Sequence, residues 1–423
     1  MNKIFNPKTI VVIGAKSDLG SVGAGLMKNI LSSKRKIFPV NPNRKKVFGL
    51  KCFSSILNIK ERIDLVIVAV PAKIVPQVIE QCCQKKVGGI IIVSSGFSEK
   101  DKQGGLLQEE VKTMVQKAKI PLIGPNCLGI LRPSVSLNAS FAPCTPKKGK
   151  IAFISQSGAL IDSIIDKSSF DKYGFSTLIS CGNQADLSIN DYLEWLEKDK
   201  ETKVICLYIE GLKNGRDFIK IAKRISKPII AIKAGKTDFG KKAIFSHTAS
   251  LAGDYDVFKT ALKQSGVIEV ETVEELFDKA KALAWQPKCK NKIAILTNGG
   301  GCGVLAIDYC EKLGVKVALP PVDILGNALS DQYQSGIEDL LGRKDVHGLI
   351  IIQTLQIMTE VEKNAKIIIR ASKKWLDKPI VCSFLGGKLT KPGIDILENN
   401  KIPNYNDVAK AVQAMDSLIN KSN

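Results

Sequence analysis

TIVVIGAKSDLGSVG, residues 9–23, is the stretch on which the fold turns. Residues 9–13 are a short apolar run of β-branched side chains ending at Gly14, the pattern of a strand buried on both faces. A glycine-rich loop follows, and residues 26–31 then read as helix. Strand, glycine loop and helix together cradle a pyrophosphate on backbone N–H groups. The candidate contacts are Gly14, Ser17, Gly20, Ser21, Val22 and Gly23, although the spacing is not a strict G-x-G-x-x-G. The alternation continues through strands at 64–70, 89–94 and 121–123, with helices at 75–85 and 106–117 between them. Such alternation predicts a parallel, doubly wound sheet with ligands at the carboxyl ends of its strands. There the chain carries Val70-Pro71, Ser95-Gly96 and Asn126-Cys127.

The end of the second strand (residues 36–40) speaks to the ligand. A dinucleotide site with a free ribose wants an acid there. This chain has Asn41-Pro42-Asn43-Arg44 and two further lysines, which suit an extra phosphate, as in NADP or the 3′-phosphate of coenzyme A. A solvated turn remains the plain alternative.

After Lys147-Lys148-Gly149-Lys150 a second alternating segment begins. Its first strand runs into Ser155-Gln156-Ser157-Gly158, where a helix start offers free N–H donors and the positive end of a helix dipole. An ordinary serine N-cap explains the same residues. A second loop of this kind carries Gly182-Asn183, and the strand at 204–209 ends at Glu210-Gly211. The strand at 228–233 leads to SHTASLAG, residues 246–253, which holds His247, one of two histidines in the chain. We expect His247 at a loop-to-helix junction, on a loop lined by Lys233, Lys236, Lys241 and Lys242, with helices from Asp254 and Thr272 closing the unit. A neutral imidazole there can attack a phosphoryl group. Glu210 can hold it in one tautomer and stabilise its cation. A third segment starts after Pro287 and repeats the theme at Asn298-Gly299-Gly300-Gly301, again a helix start able to hold an anion.

Composition narrows the class. The 423 residues are 44% hydrophobic and 24% charged, enough for several cored domains. No apolar run reaches membrane-spanning length, and the N-terminus shows no signal-peptide pattern. Eleven scattered cysteines without a C-x-x-C pair argue against a disulfide framework or zinc site and for a reducing, cytoplasmic setting; no metal site is expected. The net charge of +21 comes with only eight arginines among 62 basic residues, spread along the chain, and with 6% aromatics. That disfavours nucleic acid and leaves a lysine-rich surface that attracts polyanionic substrates.

The combined motifs resemble the nucleoside-diphosphate-forming acyl-CoA synthetases, relatives of succinyl-CoA synthetase. VIGA…SVG, PVNP, DLVIVAVPA, SSGFSE and GPNCLG are similar to that family's CoA-binding domain. ISQSGAL, CGNQADLSINDYL, IEGLKNGRDF and SHTASLAG are similar to its phosphohistidine domain, and LTNGGGCGVLAID and IVCSFLGG to its third domain. The resemblance implies an α/β chain with a Rossmann-like CoA-binding domain (1–145) followed by two flavodoxin-like domains of succinyl-CoA-synthetase type (146–287 and 288–423). It implies the reaction acyl-CoA + phosphate + ADP ⇌ acid + CoA + ATP, with Mg²⁺, through an acyl phosphate and a phosphohistidine at His247 supported by Glu210. An acetate-CoA ligase α subunit is the member implied. No segment resembles the family's ATP-grasp domains, so ADP/ATP and Mg²⁺ are expected on a separate ATP-grasp β subunit, in a heterotetramer of two α and two β subunits. The substrate is a small acid or its acyl-CoA; neither nucleic acid nor membrane is expected. The family's usual first loop departs here, with Ser17 displaced after Gly14-Ala15-Lys16, and the third domain is shortened between residues 319 and 331. Two rivals stay open: a non-catalytic CoA-binding or CoA-sensing protein, including a remnant of a synthetase–acetyltransferase fusion, and an NADP oxidoreductase.

Overall fold

A computed structural model describes residues 1–248 and 254–419, without the side chains of residues 245–248. The chain divides into two compact units, residues 1–270 and 271–423. After a one-turn helix α1 (Asn2–Phe5), the opening run forms β1 (Thr9–Ile13) and helix α2 (Val22–Leu31) follows the glycine loop. Strands β2 (Lys36–Val40), β3 (Leu65–Val68), β4 (Ile90–Ile92) and β5 (Leu122–Ile123) join β1 in parallel, in the order β2-β1-β3-β4-β5. Successive side chains of a strand point to opposite faces, and the two faces are separately packed. Ile10, Val12, Leu65 and Ile67 belong to one core cluster. Val11, Ile13, Val66 and Val68 belong to another, which also takes residues of helices α3 (Val75–Gln84) and α4 (Lys102–Ala118). Helix α4 begins a turn before the expected residue 106, because the Asp101 carboxylate accepts from the Gly104 N–H and caps it.

The next two strands, β6 (Gly129–Arg132) and β7 (Leu137–Ser140), form an antiparallel hairpin. They precede the expected boundary at 145 yet belong to the second sheet: β6 pairs antiparallel with β9 (Phe175–Ser180). The remaining strands, β8 (Lys148–Ser155), β10 (Val204–Ile209), β11 (Ile229–Lys233) and β12 (Ile268–Val270), complete the order β12-β11-β10-β8-β9-β6-β7. Its helices are α5 (Gly158–Phe170), α6 (Ile189–Lys198), α7 (Gly215–Arg224), α8 (Asp238–Thr248) and α9 (Tyr255–Gln264). Helix α8 corrects one expectation. The lysine-bearing approach to His247 is helical from Asp238, not loop, because the Thr237 hydroxyl accepts from the Gly240 N–H and its carbonyl from Lys241 N–H. The backbone of His247 lies near the end of that helix. Its side chain, those of Ser246 and Thr248, and residues 249–253 lie outside the described set.

The second unit begins with α10 (Val273–Trp285), expected to close the middle segment but packed on the last helix, α15 (Val408–Leu418). Buried Lys281 binds Glu398 at 2.9 Å and the Asn404 carbonyl at 3.0 Å, which ties α10 to this unit. Its parallel sheet runs β14-β13-β15-β16, from β13 (Ala294–Thr297), β14 (Val322–Asp323), β15 (Leu349–Gln353) and β16 (Ile380–Phe384). Helices α11 (Gly300–Leu313), α12 (Ser330–Gly342), α13 (Val361–Lys374) and α14 (Lys391–Asn399) complete the unit. Among the described residues no helix is long and apolar enough to cross a membrane.

The hairpin is anchored by charge. Arg132, 4% exposed, donates to Asp199 at 2.5 Å and to the Asn6 side-chain oxygen at 2.6 Å, and lies 4.9 Å from the Trp195 ring. Asp199 also accepts from the Thr202 hydroxyl. Breaking a buried pair by removing one partner leaves an uncompensated charge. Asp199→Ala is therefore expected to destabilise the first unit by about 3–5 kcal/mol, read as a lower chemical-denaturation midpoint. An unchanged midpoint contradicts the anchoring role.

Candidate active site

In an open parallel sheet the ligand crevice lies where the strand order reverses. All three sheets reverse beside their first parallel strand: between β1 and β3, between β8 and β10, and between β13 and β15. The loops carrying Gly14, Gly158 and Gly299 each follow one of these strands.

At the first crevice Gly14 has φ +86°, and a Cβ there would stand 2.2 Å from the Ala69 carbonyl oxygen. Only glycine lets the loop pass this close to the end of β3. Ser21 caps α2 by accepting from Ala24 N–H. Gly20 has positive φ and Gly23 lies against the Gly14 carbonyl. Displaced Ser17 accepts from the Phe48 N–H, and Asp18 pairs with Arg44 at 2.8 Å. Buried Asn41 donates to the Ala15 carbonyl and, just ahead of Pro42, accepts from Asn43 N–H. Asn41 thus holds the loop in shape, while Arg44 keeps its cation at the loop's edge.

At the second crevice the Ser155 hydroxyl is buried and bonded within the turn, donating to the Ser157 carbonyl and accepting its N–H. Ser157 caps α5 by accepting from Leu160 N–H. The first-turn N–H groups of Gly158 and Ala159 have no intrahelical acceptor and carry the positive end of the dipole. The Gln156 side-chain oxygen accepts from both Glu210 N–H (2.6 Å) and Gly211 N–H (3.1 Å). It thereby fastens the end of β10 to the anion loop. Glu210 is 6% exposed. Beside it Lys233, 4% exposed, donates to the Glu210 carbonyl at 2.8 Å and to the Ala234 carbonyl, with its ammonium 5.4 Å from the Phe258 ring. Burial pushes the Lys233 ammonium below the usual lysine range, against the pull of Glu210. Lys233 is thus a buried partner of the Glu210 strand end and not a loop cation.

Loops of the first two sheets enclose one cavity of about 580 Å³. Val22, Val70, Pro71, Ser95, Asn126 and Cys127 line it from the first sheet, and Gln156, Ser157 and Gly158 from the second. These predicted residues are brought together. Phe141, Leu128, Ala159 and Asp162 also line it and were not anticipated. Asp162 was invisible as a site residue because it sits one turn inside a helix, where an acid reads as an exposed face. Burial raises its carboxyl above the usual range. Burial also pushes the Cys127 thiol up to about 12, so at neutral pH it is a thiol and a poor nucleophile.

Several predicted contacts lie off the cavity wall, Gly96, Gly182 and Asn183 among them. Gly96 has its N–H bonded to Glu99. Gly182, at φ +55°, could not carry a Cβ, which would meet the Pro125 carbonyl at 2.1 Å. Asn183 shares its amide hydrogens among Ser98, Glu99 and Gln108, and accepts from Asn126. Gly182 and Asn183 therefore lock the 124–127 loop to the second sheet. In the second unit Asn298, 1% exposed, accepts from Thr354 N–H and hydroxyl and donates to its carbonyl. Gly299 caps α11, and Gly300 and Gly301 form its exposed first turn. Among the described residues no group of three or more His, Cys, Asp or Glu is placed to hold a metal ion.

A model of the CoA binding domain matches residues 8–133, and one of the succinyl-CoA ligase-like flavodoxin domain matches residues 148–283. The chain is 36% identical to the acetate–CoA ligase (ADP-forming) I subunit alpha of Pyrococcus furiosus, covering 99% of this chain and 97% of that one. It is 39% identical to acetate–CoA ligase (ADP-forming) I of Archaeoglobus fulgidus, of which it spans 63% of the length. Among solved structures, a chain of acetyl-coenzyme A synthetase 1 of Candidatus Korarchaeum cryptofilum, in complex with phosphate and ADP, superposes with a TM-score of 0.94. That chain is 34% identical, with 99% of this chain and 96% of that one covered. With both crevices, the glycine loops and these full-length matches in agreement, the chain belongs to the ADP-forming acetate–CoA ligase family, on the pattern of its alpha subunits.

Proposed function

We propose that the chain is the α subunit of an ADP-forming acyl-CoA ligase, interconverting acyl-CoA, phosphate and ADP with acid, CoA and ATP. The observation that carries this reading is the single cavity onto which the CoA-type loops and the α5 anion site both open. The acyl thioester enters from the first-sheet side, past Val70, Pro71 and Ser95. Phosphate binds on the Gly158 and Ala159 N–H groups, which oppose its negative charge without needing another base. A phosphate oxygen attacks the thioester carbon, the C–S bond breaks, and CoA leaves as the thiol. The acyl phosphate then gives its phosphoryl group to a His247 nitrogen, releasing the acid. Glu210, held by Gln156, stabilises the imidazolium side of that exchange. The Gly300–Gly301 helix start serves as a second anion site for the carried group.

ADP or ATP and Mg²⁺ bind, on this reading, to a separate ATP-grasp subunit. The full-length match to proteins named as alpha subunits supports a partner. Acetate is the acid most often named among the relatives.

The test is phosphorylation of the purified chain with Mg²⁺, with and without a candidate ATP-grasp subunit. One arm supplies acyl-CoA and labelled phosphate, the other γ-labelled ATP. Acid-labile label from both directions supports the ligase. Tight CoA binding with no label, in the presence of an active partner, points to the CoA-sensing alternative.

A further inference from the structure

The cavity that this reading gives to the acyl thioester holds one charged side chain among its described lining residues, Asp162. The rest of the wall beside it is apolar or already committed. Leu128, Phe141 and Ala159 are apolar, Ser157 caps α5, and Gln156 is bonded to the Glu210 turn. The Asp162 Oδ1 is buried and has no hydrogen-bond partner among the described residues. A partnerless carboxylate oxygen is costly inside a protein. It is stranger still in a chain of net charge +21, in a cavity built for an anionic reactant.

Its position on the helix says what it meets. Asp162 is four residues beyond Gly158 and three beyond Ala159, so all three share one face of α5. Phosphate held at the first turn must touch the thioester carbon that it attacks. One turn along the helix is about 5.4 Å, the reach of an acyl chain of about four carbons. The far end of such a chain, and not the thioester, comes to the carboxylate.

We infer that Asp162 sorts acyl groups by their far end. It favours a short acyl group carrying a hydrogen-bond donor about four carbons along and excludes one carrying a second carboxylate. A terminal hydroxyl supplies the donor that Oδ1 lacks. A terminal carboxylate meets a like charge in a poorly solvated space. This inference rests on the ligase reading of the cavity.

The experiment is calorimetric titration of the full chain at mildly alkaline pH, without phosphate. The probes are CoA, butyryl-CoA, 4-hydroxybutyryl-CoA and succinyl-CoA, whose acyl groups match in length. Wild-type protein is expected to bind succinyl-CoA at least about tenfold more weakly than butyryl-CoA, and 4-hydroxybutyryl-CoA more tightly than either. The basic surface alone would favour the extra charge of succinyl-CoA, so this order is specific to the cavity. Asp162→Asn should bring succinyl-CoA to within about threefold of butyryl-CoA, and Asp162→Ala should also erase the preference for the hydroxyl. Unchanged affinity for free CoA reports that the variants keep the site. CoA binding with the same acyl ratios in wild type and variants overturns the sorting role alone. No CoA binding by the wild-type chain overturns it together with the ligase reading.

Discussion

His247→Ala is expected to remove all acid-labile phosphate label from the chain while leaving its affinity for CoA within about threefold of wild type. The chain has two histidines. The other, His347, precedes β15, and its backbone N–H is bonded to the Lys292 carbonyl. It belongs to the second unit. Alanine removes the proposed nucleophile and none of the described residues that line the cavity. In the proposed mechanism the acyl-phosphate step uses the α5 helix start, so CoA release from acyl-CoA and phosphate should persist as a slow, unproductive reaction. ATP synthesis should be lost. The check is paired measurement of bound label and of free thiol. ATP formation near the wild-type rate in the variant would overturn the assignment of His247.

Glu210→Gln is expected to slow phosphorylation of His247 by about a hundredfold or more, with little loss of stability. Glutamine keeps the volume, and the bonds from Gln156 run to backbone N–H groups, which the substitution does not touch. The Lys233 contact also goes to the Glu210 carbonyl. What is lost is the negative charge. In wild type that charge opposes the depression of the Lys233 ammonium's pKa. Without it the lysine gives up its proton at still lower pH. Rapid-quench labelling measures the rate, and a rate equal to wild type would refute the supporting role.

Much of the architecture was readable because buried parallel strands announce themselves. The runs at 9–13, 65–68 and 204–209 are short, β-branched and closed by glycine or proline, and the loops after them carry the chemistry. What was not readable has identifiable causes. The β6–β7 hairpin has four-residue strands buried throughout, without the in-out alternation that marks a half-exposed pair. Its turn bends at Ser136 in the left-handed region, with no glycine to signal it. Helix α10 was assigned by chain proximity, whereas its Lys281 pairs with Glu398, over a hundred residues away. Among site residues, Asn183 looked like a phosphate ligand by type and loop, and only the fold shows its amide spent on Glu99, Gln108 and Ser98. Asp162 carried no local signal, since its meaning depends on a cavity assembled from distant loops.

The hairpin also limits how this protein can be taken apart. Its residues precede the expected boundary at 145, yet β6 borrows its edge from β9 and its charge from Asp199. From the other side, Asn29 of α2 reaches the Ser140 and Ala142 carbonyls at its end. A fragment cut at residue 133 would keep β6, expose its unpaired backbone and carry a guanidinium with nowhere to go. An exchange of CoA-binding modules between relatives would fail at the same seam unless the hairpin stayed with the second sheet. The CoA-binding half and the flavodoxin-like half are interlaced at this point, even though two separate domain signatures match them.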